Sequence, residues 1–164
     1  MYIELHAASA FSFLQGASLP EALVERAATL GYPALALLDA DGVYGAPRFH
    51  KAATKAGLRA IVGAELTIDP RPPAHRPEAE APASSAAGTP GHAVRPVLRA
   101  ARSSAQSAAD SGACWRLPVL VESQEGYRNL CRLITRMKLR APKGEGALHL
   151  DELDGCTEGL VAIG

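Results

Sequence analysis

The feature that most constrains the fold is a continuous apolar run over residues 34–38, which ends at Asp39. The run has the length of a strand, and it does not alternate between apolar and polar residues. Unbroken apolar strands are typical of parallel sheets, in which other layers cover both faces. The run therefore predicts an α/β protein built around a buried parallel strand, with Asp39 at the carboxyl end of that strand.

Helical and strand patterns alternate on both sides of this run. Apolar residues at helical spacing predict helices over 19–30 and 49–56, and a glycine follows each of them. Short apolar runs predict strands over 2–5 and 59–68, the second of which carries Glu65. Strands and helices in strict alternation are typical of parallel sheets with flanking helices.

The composition changes between residues 70 and 112, where Ala, Pro and Ser dominate. This stretch has few large apolar side chains to offset the entropy of ordering it, so we expect a disordered or loosely packed insertion. The predicted organisation is a first folded part over 1–69, the insertion over 70–112, and a second folded part over 113–164.

The second folded part repeats the alternation of the first. We predict a strand over 117–121, a helix over Gln124–Arg140, a short helix over 149–153 and a strand over 159–164. The long helix has one apolar stripe, formed by Tyr127, Leu130, Ile134 and Met137. Because the last predicted strand reaches the end of the chain, we expect a truncated fold.

The charge balance and the cysteine content limit which functions and which cellular setting the sequence supports. Lys plus Arg and Asp plus Glu each number 17 among the 164 residues, so no net charge indicates nucleic-acid binding. Cys114, Cys131 and Cys156 are widely spaced and form no zinc-binding pattern, which favours a reducing, cytoplasmic setting. No run approaches the roughly 18 apolar residues that a membrane span needs.

Several ordered motifs in the chain match one known family. They are LHAASAFSFLQGAS at residues 5–18, LDADGVYG at 38–45, GAE at 63–65 and EGYRNLCRLI at 125–134. Together they resemble the PHP (polymerase and histidinol phosphatase) domain that begins bacterial C-family DNA polymerases, and most closely the error-prone branch of the DNA polymerase III alpha subunit. The resemblance implies a distorted (β/α)7 barrel, of which this chain would hold about the first two thirds without the polymerase domains.

The resemblance also implies a metal site. Active family members bind a cluster of divalent zinc, manganese or iron ions at the carboxyl ends of the strands and hydrolyse phosphate esters there. His6 matches the first histidine of the family's His-x-His pair, and Glu65 matches its bridging glutamate. Four other positions depart from the ligand pattern: Ala8 and Ala40 replace histidines, Gln15 replaces an acidic residue, and Arg116 stands where a histidine is common.

These departures predict a degraded site. We expect no bound cofactor and no turnover from this chain alone, with His6 and Glu65 as remnant metal ligands. Asp39, Asp41 and Arg116 are expected to line the site, and an inward-pointing Arg116 would place a fixed positive charge where a metal ion belongs. The residues alone leave a simpler interpretation open, in which His6 is a hydrogen-bonded histidine at a strand end and the aspartates cap a turn.

Three functions remain open. The preferred one is a non-catalytic N-terminal PHP module that supports the polymerase core of the same full-length protein, with DNA contacted through that core during replication and translesion repair synthesis. The parent protein would then be a DNA-directed DNA polymerase, a nucleotidyltransferase. The second is an active metal-dependent phosphoesterase or proofreading 3'-5' exonuclease. The third is a stand-alone binding domain.

Overall fold

The computed structural model describes residues 2–70, 114–142 and 146–163. Its strands are β1 (Glu4–Ala7), β2 (Ala34–Ala40), β3 (Arg59–Asp69), β4 (Trp115–Val121), β5 (Leu148–His149) and β6 (Leu160–Ala162). Its helices are α1 (Pro20–Thr29), α2 (Ala46–Ala56), α3 (Gln124–Arg140) and a 3-10 helix (Leu150–Leu153). Within these ranges, no helix is long and apolar enough to cross a membrane. Apart from Pro70, the expected insertion over 70–112 lies outside the described residues.

The strands form one open sheet in the order β1-β2-β3-β4-β6, and β5 pairs with the end of β3. β1, β2 and β3 run parallel, and β2 is buried from Ala34 to Asp39, as the apolar run predicts. β4 runs antiparallel to β3, with Ile68 opposite Trp115, and β6 runs antiparallel to β4. β6 therefore runs in the same direction as β3, and among the described strands the expectation of parallel strands fails at β4, which is antiparallel to both of its neighbours.

All three α-helices pack on one face of the sheet. Side chains alternate between the two faces along a strand, so even-numbered positions of β3 share a face. Val62 packs against the cluster around Phe49 of α2, and Leu66 belongs to the cluster around Leu133 of α3. Phe49 and Leu133 are fully buried, which stabilises the fold by about 1.5–3 kcal/mol for each side chain. Glu65 has the opposite parity and faces away from the helices.

The helix ends follow signals that the sequence carries. α1 begins at Pro20, where the missing N–H of proline costs no hydrogen bond. Gly57 ends α2 in the left-handed conformation, with φ at 70°. α3 has the predicted bounds, and the hydroxyl of Ser123 accepts a hydrogen bond from the N–H of Gly126 at 3.1 Å.

Candidate functional site

The sheet face opposite the helices carries a group of charged side chains. His6 lies in β1, Glu65 in β3 and Arg116 in β4, while Asp41 directly follows β2. We call these four residues the charged cluster. Ala40 of β2 pairs in register with Glu65, and it has no side chain beyond Cβ to separate the strands on either side of it. His6 and Glu65 can therefore meet across β2.

Glu65 is the centre of the charged cluster. Its Oε1 lies 3.1 Å from Nε2 of His6, and its Oε2 lies 3.6 Å from Nη1 of Arg116. The same Nη1 lies 3.9 Å from Oδ2 of Asp41. The two carboxylates are largely buried, with 19% and 16% of their side chains exposed, so water screens them less than it screens the partly exposed His6 and Arg116.

Asp41 is held in place by β3. Its Oδ1 accepts a hydrogen bond from the N–H of Thr67 at 2.7 Å, and its Oδ2 accepts one from the Thr67 hydroxyl at 2.8 Å. Asp41 has φ at 49°, a left-handed conformation that aspartate tolerates better than most residues do. The turn after β2 therefore fixes the carboxylate within reach of Arg116.

Asp39 belongs to a different network. It is 1% exposed, and its carboxylate accepts hydrogen bonds from the Ser9 N–H, the Ser9 hydroxyl and the Ser12 hydroxyl, at 2.8–3.0 Å. Asp39 shares strand parity with Leu37, which packs in the cluster of α1 and α2. The structure thus brings His6, Glu65, Asp41 and Arg116 together and directs Asp39 to the loop that follows β1.

A cleft of about 500 Å³ opens beside the charged cluster. His6, Glu65 and Arg116 supply its polar wall, and Trp115, Leu117, Pro118 and Ile163 supply its apolar wall. The sequence offered no signal for the apolar wall, because it depends on the antiparallel pairing of β4. A larger groove of about 720 Å³ lies between α1 and α2, and it contains none of the predicted site residues.

The donor set of the charged cluster does not fit a multinuclear metal site. His6 and Glu65 already contact each other, and the next group is the Arg116 guanidinium, which has no lone pair to give a metal. Ala8 and Ala40 contribute no donor. Across the described ranges 2–70, 114–142 and 146–163, no group of three or more His, Cys, Asp or Glu side chains is arranged to hold a metal ion.

Comparisons of sequence with known proteins agree with the motifs. The model of the PHP domain family matches residues 4–163. The chain is 54% identical over 157 residues to the error-prone DNA polymerase of Mycobacterium tuberculosis H37Rv, covering 96% of this chain and 11% of that protein. It is 42% identical over 153 residues to the error-prone DNA polymerase of Nocardia farcinica, covering 92% of this chain and 13% of that protein.

Among solved structures, the chain is similar to an amidohydrolase from Chromobacterium violaceum that has bound sulfate and no metal. The TM-score is 0.49 at 18% identity, covering 85% of this chain and 34% of that one. The family match extends over more of the chain, since it runs from the first described strand to the last. The chain belongs to the PHP domain family and is homologous to the N-terminal region of error-prone DNA polymerases.

Proposed function

We propose that this chain is the N-terminal PHP module of an error-prone DNA polymerase III alpha subunit and acts as a scaffold for the polymerase core. The chain spans 9–13% of the length of its polymerase relatives, which leaves room in such a protein for a much larger core. That core would contact DNA and carry the nucleotidyltransferase activity in the cytoplasm, during replication and translesion repair synthesis. The PHP module would position and stabilise it.

The observation that carries the scaffold role is the position of Arg116. Its guanidinium lies within 4 Å of the carboxylates of both Glu65 and Asp41. Arginine stays protonated in proteins, so it supplies a permanent positive charge between these two acids. A metal ion would otherwise be the group that offsets carboxylates at this position in the family. The side chain of Arg116 therefore stabilises the charged cluster without a metal ion.

The same arrangement argues against turnover. Metal-assisted hydrolysis of a phosphate ester requires ions that hold both the attacking hydroxide and the leaving oxygen. The charged cluster offers one imidazole and two carboxylates, and the Asp41 carboxylate already accepts two hydrogen bonds from Thr67. We therefore assign the module a structural role.

An active phosphoesterase or 3'-5' exonuclease is the second candidate, and one observation favours it. His6 and Glu65, which match two family ligands, lie in direct contact at 3.1 Å. To bind a metal ion, His6 and Glu65 would have to break the hydrogen bond between them. Further ligand side chains would also have to reach the ion beside the Arg116 guanidinium. That requirement makes the scaffold the better-supported function.

The scaffold role can be tested by placing this chain in a related polymerase. The matching segment of the Mycobacterium tuberculosis error-prone DNA polymerase is replaced by this chain, and primer extension and the melting temperature of the chimaera are measured. We expect extension at a rate near that of the parent, and no hydrolysis of a simple phosphate ester by the isolated chain with manganese or zinc added. A chimaera that folds without extending primers, or hydrolysis that His6→Ala abolishes, would overturn the proposal.

A further inference from the structure

The loop between β1 and α1, residues 8–19, ends in an exposed apolar tip. Phe13 is 84% exposed and Leu14 is 90% exposed. Single exposed apolar residues are common on soluble proteins, but two large neighbouring side chains in this position lose most of the stabilisation that burial would give them. The two side chains at the tip therefore contribute little to the packing of the fold.

The loop holds this tip in a fixed conformation. The N–H of Ala10 donates to the Ser18 carbonyl at 2.8 Å and closes the loop at its base. Inside the loop, the N–H groups of Ser12 and Gln15 each donate to a carbonyl three residues earlier, at 2.9 Å. The buried Asp39 anchors the loop from below through Ser9 and Ser12. A rigid tip of this kind gives up little conformational entropy when it is bound.

The backbone at the tip is strained. Leu14 has φ at 63°, in the left-handed region that leucine rarely adopts. A residue held in such a conformation costs of order 1–3 kcal/mol and persists where the surrounding structure enforces it, often at functional contacts. Gly16 shows how tightly the loop is folded, because a Cβ there would meet the Ser9 carbonyl oxygen.

Phe11, two residues before the tip, has a partner within the fold. The guanidinium of Arg48 in α2 lies 5.8 Å from the centre of the Phe11 ring, and Arg48 also pairs with Glu21 of α1 at 2.6 Å. Phe11 is accordingly less exposed than Phe13, at 40%. Phe13 and Leu14 are thus the most exposed large apolar side chains of the loop.

We propose that Phe13 and Leu14 dock into an apolar pocket on the polymerase core of the same protein. This inference rests on the proposed function, because the core would lie within the part of the polymerase relatives that is outside the 9–13% covered by this chain. Residues 7–20 contain no charged side chain, so the loop itself offers no cation to bind the phosphates of DNA. An apolar protein surface is the partner that this chemistry fits.

The double variant Phe13→Ser with Leu14→Ser tests the docking. It is made in the Mycobacterium tuberculosis chimaera and in the isolated chain, and Leu139→Ser is the matched control, because Leu139 is also 83% exposed but lies on α3. We expect the double variant to lower the melting temperature of the chimaera by several degrees and to leave that of the isolated chain unchanged. Backbone amides of the loop tip should exchange at least tenfold more slowly in the unsubstituted chimaera than in the isolated chain.

The outcomes separate the docking from the proposed function. A chimaera that extends primers normally, with a melting temperature that the double variant changes no more than Leu139→Ser does, overturns the docking and leaves the scaffold role standing. A chimaera that folds without extending primers removes the scaffold role and the docking with it. Isolated chains that dimerise in sedimentation experiments through Phe13 and Leu14 would identify a second copy as the occupant and also overturn the docking.

Discussion

Nη1 of Arg116 lies 3.6 Å from one carboxylate oxygen of Glu65, while the other oxygen of that carboxylate lies 3.1 Å from Nε2 of His6. One glutamate thus joins an imidazole on β1 to a guanidinium on β4. The family resemblance predicts Glu65 as a bridging metal ligand, and in the structure both of its partners are side chains of the protein. If Arg116 supplies the positive charge that a metal ion would supply, changes at this cluster should alter metal affinity.

Restoring the missing histidines should restore metal binding in part. We expect Ala8→His with Ala40→His to raise zinc or manganese affinity by more than the sum of the single changes, because ligands on one ion act through shared geometry. Adding Arg116→His to the pair should raise it further, since it removes a fixed positive charge. Metal content after dialysis and calorimetric titration measure the effect.

The unsubstituted chain and the variant Arg116→Lys are the controls for metal binding. Lysine keeps the positive charge but adds no metal ligand while it is protonated. Tight stoichiometric metal in the unsubstituted chain, lost on His6→Ala, would show that the departures at positions 8 and 40 do not matter.

Asp39→Asn should destabilise the fold by about 1–3 kcal/mol, because an amide replaces a buried carboxylate that only accepts hydrogen bonds. The amide NH₂ would face the hydroxyl groups of Ser9 and Ser12. Urea unfolding of this variant is compared with that of Asp154→Asn, an exposed position where we expect a change within about 0.5 kcal/mol. Equal midpoints for the two variants would contradict the anchoring role.

Acid should weaken the contact between α3 and the 3-10 helix. Burial raises the pKa of Glu152, but hydrogen bonds from the Arg140 guanidinium and the His149 N–H outweigh it, so the pKa lies below its usual value. A lowered folded-state pKa stabilises the fold above the unfolded value of about 4.3, and this contribution is lost as the pH falls through the folded value. Because Arg140 is 37% exposed, we expect at most about 1 kcal/mol.

Glu152→Gln tests this pH dependence. The free energy of unfolding of the variant should change less than that of the unsubstituted chain as the pH falls below about 4.3. Glu25→Gln, at an exposed position of α1, is the control and should keep the original pH dependence. A variant at position 152 whose pH profile matches that of the control would exclude a stabilising role for this ion pair.

Because β3 and β4 pair as neighbouring antiparallel strands, we predict that the segment between them can be removed. Ile68 and Trp115 are paired, so the two ends of the connection lie side by side. Replacing residues 71–112 by a short turn should leave the fold intact and stabilise it by about 2 kcal/mol, because a roughly tenfold shorter loop costs less entropy to close. Chemical denaturation measures the change, and loss of the cooperative transition would mean that the segment contributes packing to the fold.

The parts of the fold that carry strong local signals were predictable from the sequence. α3 has the predicted bounds because its helical pattern is long, but its stripe is rotated: Leu133 is buried, while Tyr127 is 39% exposed. The direction of β4 was not predictable, since an apolar strand has the same periodicity in either orientation. A connection as long as that from Pro70 to Cys114 gives no indication that it closes a hairpin.

The candidate site, like the fold, was predictable from the sequence only in part. His6, Glu65 and Arg116 lie in contact on one face of the sheet. His6 and Glu65 belong to parallel strands, whereas Arg116 reaches Glu65 from the beginning of the antiparallel strand β4. Asp39 does not join them, and the reason lies in the unbroken run that made β2 recognisable. When a strand is apolar throughout, its sequence does not reveal which residues face which side of the sheet. The sequence therefore could not show that Asp39 lies on the face that the helices cover.

The separation of the helices and the charged cluster onto opposite faces of the sheet has a consequence for how such a domain can evolve. Neither Ala8 nor Ala40 belongs to the two apolar clusters that pack the helices against the strands. A ligand on the charged face can therefore be exchanged for a small residue without repacking the interior. Residues of the charged face can thus vary during evolution while the packing that holds the fold together is kept.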